Sequence, residues 1–320
     1  MSFTKLLFKL IDCVGYIPQN TYHSKNAFKV LKNTVYCDKN PKQCTLDLWA
    51  DKNQIQNKQP ILINMHGGGF IAGDKKYRKS FSQYCLKFNV KVLNVNYGLA
   101  PERDLTEIIN ELTDLFKWIE NNKEKYHLDS DKIILCGDSA GAYFAACCAT
   151  MSLNSEYSNG INLSKIEAKI VGLILFSGIY YPTDSLDKRM ILGVNHSLWE
   201  YLCGQKFVDI ASCQKHPLYN HLNVGEYMTA DFPPTFISYS STDIFCQGNG
   251  EKFVQSLKDF NIPYYEVCSA DNIHDWQEFM FTKPAKLTLA YFDTFMQALL
   301  QGKSIQNTSV NIIKGKIKSN

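Results

Sequence analysis

The pentapeptide Gly137-Asp138-Ser139-Ala140-Gly141 constrains this chain more than any other stretch. It follows Asp131-Lys132-Ile133-Ile134-Leu135-Cys136, a short apolar run bounded by charge, and it precedes a run of small residues over 142–149. A strand, a Gly-x-Ser-x-Gly turn and a helix in that order form a sharp elbow that lifts the serine hydroxyl above the end of a sheet. Gly137 and Gly141 allow the close strand–helix approach that a Cβ would block. A helix beginning just behind Ser139 presents its free N–H groups to any anion that develops there.

The remaining chain alternates strands and helices. Apolar runs over 60–65, 90–96, 170–176, 235–239 and 264–268 read as strands, and 44–50 alternates like a half-buried one. Helical patterning covers 77–88, 104–126, 250–260 and 283–300. In the second of these, Ile108, Ile109, Leu112, Leu115, Phe116 and Ile119 make one stripe. Such alternation predicts an α/β fold with a mainly parallel sheet and helices on both faces, its functional site at the carboxyl ends of the strands. Residues 19–40 read as polar and irregular. Residues 180–230 break the rhythm and carry Trp199, Tyr201, Phe207, Tyr219 and Tyr227, as expected of an insertion over the site. The last eighteen residues are polar and Lys-rich and read as a frayed tail. The expected organisation is a segment 1–40, a catalytic domain 41–302 with its insertion at about 180–230, and a tail 303–320.

Charge and cysteine usage exclude several classes. The net charge of +3 comes from Lys, because Arg occurs only at 78, 103 and 189. That composition argues against an Arg-built phosphate clamp, and no basic block interleaved with aromatics points to nucleic acid. The eleven cysteines form no Cys-x-x-Cys pair and no zinc-spaced cluster, so buried reduced thiols and a cytoplasmic location are expected. Near the N-terminus, Phe3, Leu6, Leu7, Leu10, Ile11 and Val14 fall at helical spacing, with Lys9 and Asp12 interrupting any secretory pattern. The expected amphipathic helix packs on its own protein, weak contact with a membrane surface being the alternative. No stretch approaches the ~20 apolar residues of a membrane span.

Ser139 needs a base, since a free hydroxyl is a poor nucleophile. Among the seven histidines, His274 is best placed, in the loop after the last predicted strand. An acid must orient that base and stabilise its charged form. Asp243 follows the 235–239 strand and fits, giving the chain order Ser139, Asp243, His274; Asp271 is the second candidate. Asp138 should point away from Ser139. A tetrahedral intermediate also needs an anion site. His66-Gly67-Gly68-Gly69 follows a strand and offers bare amides, so Gly68 and Gly69 should donate from one side and Ala140 from the other. His66 is expected to brace this loop, and Phe70 to pack beside the substrate.

These three motifs, His66-Gly67-Gly68-Gly69-Phe70, Tyr97-Gly98-Leu99-Ala100-Pro101-Glu102 and Gly137-Asp138-Ser139-Ala140-Gly141, resemble the hormone-sensitive-lipase-like esterases of the α/β-hydrolase superfamily. The resemblance spans roughly 45–300. It implies an eight-stranded core, a helical cap built from the N-terminus and an insertion after the sixth strand, and neither a metal nor an organic cofactor. It also implies a serine carboxylesterase acting on short- to medium-chain acyl esters. Amide hydrolysis, by a deacetylase or arylformamidase, is a second reading with the same machinery, and a non-catalytic small-molecule receptor a third. The chain departs from the pattern at Gly98, where Arg is usual and would serve Glu102. It departs again at Ile244 and Gln247, where Pro and a second Asp are usual.

Overall fold

The computed structural model describes residues 3–160, 163–185 and 194–318. In chain order the elements are α1 (Phe3–Gln19), β1 (Ala27–Val35), β2 (Thr45–Asp51), β3 (Gln59–Met65), α2 (Lys79–Cys85), β4 (Lys91–Val95), α3 (Leu105–Asn122), β5 (Leu128–Asp138), α4 (Ala140–Leu153), α5 (Ser155–Gly160) and β6 (Ile170–Phe176). There follow α6 (Val194–Leu202), α7 (Ile210–Gln214), α8 (Tyr219–Leu222), β7 (Thr235–Ser240), α9 (Asn249–Asp259), β8 (Tyr264–Ser269), α10 (Lys283–Leu300), β9 (Thr308–Ile313) and β10 (Lys316–Lys318).

The strands form one sheet in the order β1-β2-β4-β3-β5-β6-β7-β8-β9-β10. Pairing is parallel from β4 through β9 and antiparallel at both ends, β1–β2–β4 and β9–β10. The period-two alternation of each strand sends side chains to two cores. Ile61, Ile63, Ile133, Leu135, Leu173 and Leu175 face α3, α4 and α9, whereas Leu62, Ile134, Ile174 and Phe236 face α2 and α10. α4 is buried on nearly every side, which explains why its sequence is small and apolar all round rather than amphipathic. α3 instead shows one stripe inward and begins at a capping box in which Asp104 and Glu107 bond each other's backbone N–H.

Because β3 is flanked by β4 and β5, the sheet order reverses there. A reversal of this kind opens a crevice at the carboxyl ends of the strands. The loop after β3 and the elbow after β5 both lie on that crevice. α1 crosses beside it: Phe8 is buried against Phe245, and the Gln19 amide accepts from Arg78 at 2.9 Å. Within the expected insertion, Trp199, Leu202, Leu222 and Val224 join the α4 core, and Tyr143 of α4 donates to the Leu222 carbonyl at 3.0 Å. Part of that insertion, 186–193, lies outside the described residues.

Two stretches correct the sequence reading. Residues 27–35, read as irregular, form the edge strand β1; its register slips at Lys29/Leu31 and Leu31/Thr34, which hides the alternation. The tail, read as frayed, supplies β9 and β10, so the expected eight strands are extended to ten. Val310 and Ile312 alternate inward with polar neighbours, and β9 covers the edge that β8 would otherwise leave open. No described helix is long and apolar enough to cross a membrane. Ile312 is fully buried. Ile312→Ala should therefore cost about 2–5 kcal/mol by urea denaturation, whereas a frayed tail would register no change.

Candidate active site

Ser139 occupies the junction between β5 and α4 with φ 50° and ψ −117°. A serine has no ease in that conformation, and the surroundings must impose it. They do so by close packing. The Ser139 N–H donates to the Phe176 carbonyl of β6 at 2.8 Å, and a Cβ on Gly141 would collide with the Met65 carbonyl at the end of β3. Ala140 opens α4, so its N–H is among those a helix start leaves unpaired.

The loop after β3 is held from behind by Asp138. The Gly67 N–H donates to Asp138 Oδ2 at 2.9 Å, and Arg78 donates to both carboxylate oxygens, through Nε to Oδ1 at 2.5 Å and through Nη2 to Oδ2. Both side chains are buried. Gly68 adopts φ 127°, a value closed to other residues, and its carbonyl accepts from Ile71 and Ala72. His66 stacks on Tyr97 with ring centroids 4.4 Å apart, its carbonyl accepts from the Tyr97 hydroxyl, and its Nδ1 lies 2.7 Å from the Gly67 carbonyl. Burial pulls the His66 imidazole down to about 4, which leaves it neutral near pH 7. Phe70 is buried, edge-on to Tyr143 and Phe144 and beside Trp199. Its side chain does not line the cavity that holds Ser139 and His274.

Ser139, Gly68, Asp243 and His274 line one cavity of about 800 Å³, whose outer wall is Phe8, Ile11 and neighbouring residues of α1. His274 Nδ1 sits 2.6 Å from Asp243 Oδ2. The other oxygen, Oδ1, accepts from the N–H groups of Phe245 and Cys246 at 2.8 and 3.2 Å. Burial favours the neutral acid at Asp243, but the His274 charge and those two amides outweigh it and hold the carboxyl below the usual range. Asp271, the second candidate, turns elsewhere: its carboxylate accepts from Ser269 and from the Lys314 N–H of the β9–β10 turn. Asp275 was missed by the sequence reading. Its carboxylate lies 3.3 Å from His274 Nε2, so the ring stands between two acids.

The departures from the family pattern also find physical counterparts. Glu102 pairs with Lys5 of α1 at 2.5 Å, so the ion pair expected to go with an Arg at 98 is supplied from another element. At 98 itself a side chain would run into Glu111, which Arg103 bonds at 2.8 Å. Ile244 is exposed at the cavity and Gln247 faces solvent.

The profile of the α/β-hydrolase-fold family matches residues 62–278, more than half of the chain. The chain belongs to that family, the one that includes the hormone-sensitive-lipase-like esterases. A protein of Acanthamoeba polyphaga mimivirus named as an alpha/beta hydrolase is 24% identical over 280 residues, covering 84% of this chain and 77% of that one. Esterase B of Lactobacillus rhamnosis superposes with a TM-score of 0.77 at 18% identity, over 93% of this chain and 96% of that chain. A Pyrobaculum calidifontis esterase does so with 0.69 at 17% identity, over 94% of each chain. These α/β-hydrolase structures share the fold at low sequence identity.

The Arg78–Asp138 pair ties the loop to the elbow, so removing one charge should strand the other in the interior. Arg78→Met should lower stability by about 3–5 kcal/mol in chemical denaturation, and adding Asp138→Asn should recover part of that loss.

Proposed function

We propose that this protein is a serine carboxylesterase that hydrolyses short- to medium-chain acyl esters through an acyl-enzyme intermediate. The observation that carries the reading is the strained Ser139 sharing one cavity with an imidazole whose far nitrogen is bonded to a buried carboxylate. In this reading His274 Nε2 takes the proton as Ser139 Oγ attacks the ester carbonyl, and Asp243 fixes the tautomer and stabilises the imidazolium. The N–H groups of Gly68, Gly69 and Ala140 receive the oxyanion, while His66 and Tyr97 brace the glycine loop. His274 then gives its proton to the leaving alcohol and activates water for deacylation.

The apolar wall of the cavity favours an ester with a hydrocarbon part. Leu10 and Val14 of α1 line the cavity and stay exposed, which suits a substrate presented at an apolar surface. The paired His274 favours catalysis over a receptor role on this fold. All eleven cysteines are free, which supports a reducing, cytoplasmic setting.

On p-nitrophenyl butyrate, Ser139→Ala should lose on the order of 10⁴-fold or more in kcat with an unchanged circular-dichroism spectrum. Wild-type turnover in that variant would overturn the reading. Asp243→Asn should lose on the order of 10³–10⁴-fold in kcat while substrate affinity changes little. A series of p-nitrophenyl esters of rising acyl length should show kcat/KM peaking at short to medium chains.

A further inference from the structure

Asp275 makes a contact for which the hydrolytic machinery has no use. Its backbone is left-handed (φ 54°, ψ 34°), a conformation that Asp tolerates better than most residues. That turn is fixed by the Asp275 N–H, which donates to Ser177 Oγ at 3.1 Å after β6. The turned backbone brings the carboxylate back onto the neighbouring ring, with Oδ2 3.3 Å from His274 Nε2. Oδ1 accepts from Gln277 Nε2 at 3.3 Å, and the residue is buried. Nε2 is the nitrogen that must receive the Ser139 proton in the esterase reading.

We propose that Asp275 is a positioning residue that competes with the Ser139 hydroxyl for Nε2 of His274 and holds the ring as a resting imidazolium. The inference rests on His274 being the base. The free enzyme then stores the imidazole between two carboxylates, Asp243 at Nδ1 and Asp275 at Nε2. Before each acylation the imidazolium gives its Nε2 proton to solvent, and only the neutral ring can take the proton from Ser139 Oγ.

The groups around the ring all bear on this balance. Asp243 faces it from the turn after β7, with Cys246 beside that carboxylate; Asp138 acts from the end of β5. Asp12 of α1 lines the same cavity. Arg78 is the cation of the cluster, but Asp138 engages it directly and Glu278 lies 3.9 Å from its Nε. Burial works against the imidazolium, yet Asp275, Asp243 and Asp138 together outweigh it and raise His274 to about 9. Asp275 is itself lifted by burial to about 7, with Asp138 and Asp243 adding to the rise against His274 and Arg78. A base raised in this way is protonated and idle below its midpoint and becomes competent as pH rises through it.

The test is the pH dependence of kcat/KM, which reports the free enzyme. Asp275→Asn and Asp275→Gly are both suitable, the second because glycine accepts the left-handed turn without strain. In each, the acid limb should move down by about one unit or more, so that the ratio of kcat/KM at pH 7 to that at pH 9.5 rises about tenfold. A merely structural role would scale the rate equally at all pH values, and an unmoved limb in an active variant overturns the proposal. A second readout does not need turnover. The His274 ring can be titrated by NMR in Ser139→Ala and in Ser139→Ala/Asp275→Asn, its resonance assigned by its loss in His274→Ala. A lowered midpoint in the double variant supports the proposal and an equal midpoint overturns it. Wild-type turnover in Ser139→Ala would instead sink the esterase reading and leave the titration to decide the ion pair.

Discussion

The charge on Asp138 is the constraint on which the site depends. An ion in this position has no access to water, and leaving it unpaired would cost several kcal/mol. Arg78 answers it with two charge-assisted hydrogen bonds, and the Gly67 amide adds a third. Asp138 is the residue before the elbow serine, so these bonds act on the serine's own backbone. They draw together the end of β5, the loop after β3 and the segment leading into α2. Through Gln19, which accepts from Arg78, they also reach α1 and the outer wall of the cavity.

The same neighbourhood explains why carboxylates of one kind behave differently. Asp243 accepts two backbone amides besides the imidazole, and these keep it ionised. Asp275 lies in the same cluster and is raised to about 7, and Glu278, with one oxygen unpartnered in the interior, is lifted by burial to about 8. Environments that drive like groups apart in this way are how one fold assigns separate tasks to chemically equal side chains. In the proposed mechanism Asp243 steadies the base and Asp275 opposes its release.

Much of this was legible in the chain. The elbow, the glycine loop and the Ser139–Asp243–His274 order are local patterns with strong backbone demands, and each falls at a strand's end as the alternation implied. The stripe of α3 and the span of α10 were likewise set by periodicity. What escaped the sequence came from pairing across long distances. Arg78 and Asp138 are sixty residues apart, and nothing in the neighbourhood of either one names the other. The tail read as frayed because its composition is polar and Lys-rich; Val310 and Ile312 gain meaning only against the β8 edge. Phe70 was expected beside the substrate because it follows the glycine loop, yet its ring turns into the aromatic cluster of Tyr143, Phe144 and Trp199. Asp275 was passed over as a loop acid because its importance lies in a left-handed backbone that periodicity does not encode.

In the proposed mechanism one hydroxyl, at the β5–α4 elbow, is the nucleophile that His274 activates. Peptide mapping by mass spectrometry after treatment with a p-nitrophenyl alkylphosphonate tests it directly. The expected product carries one phosphonyl group per chain, on Ser139, formed much more slowly when His274 is replaced by Ala. Labelling of a different residue, or an equal rate without the imidazole, would contradict it.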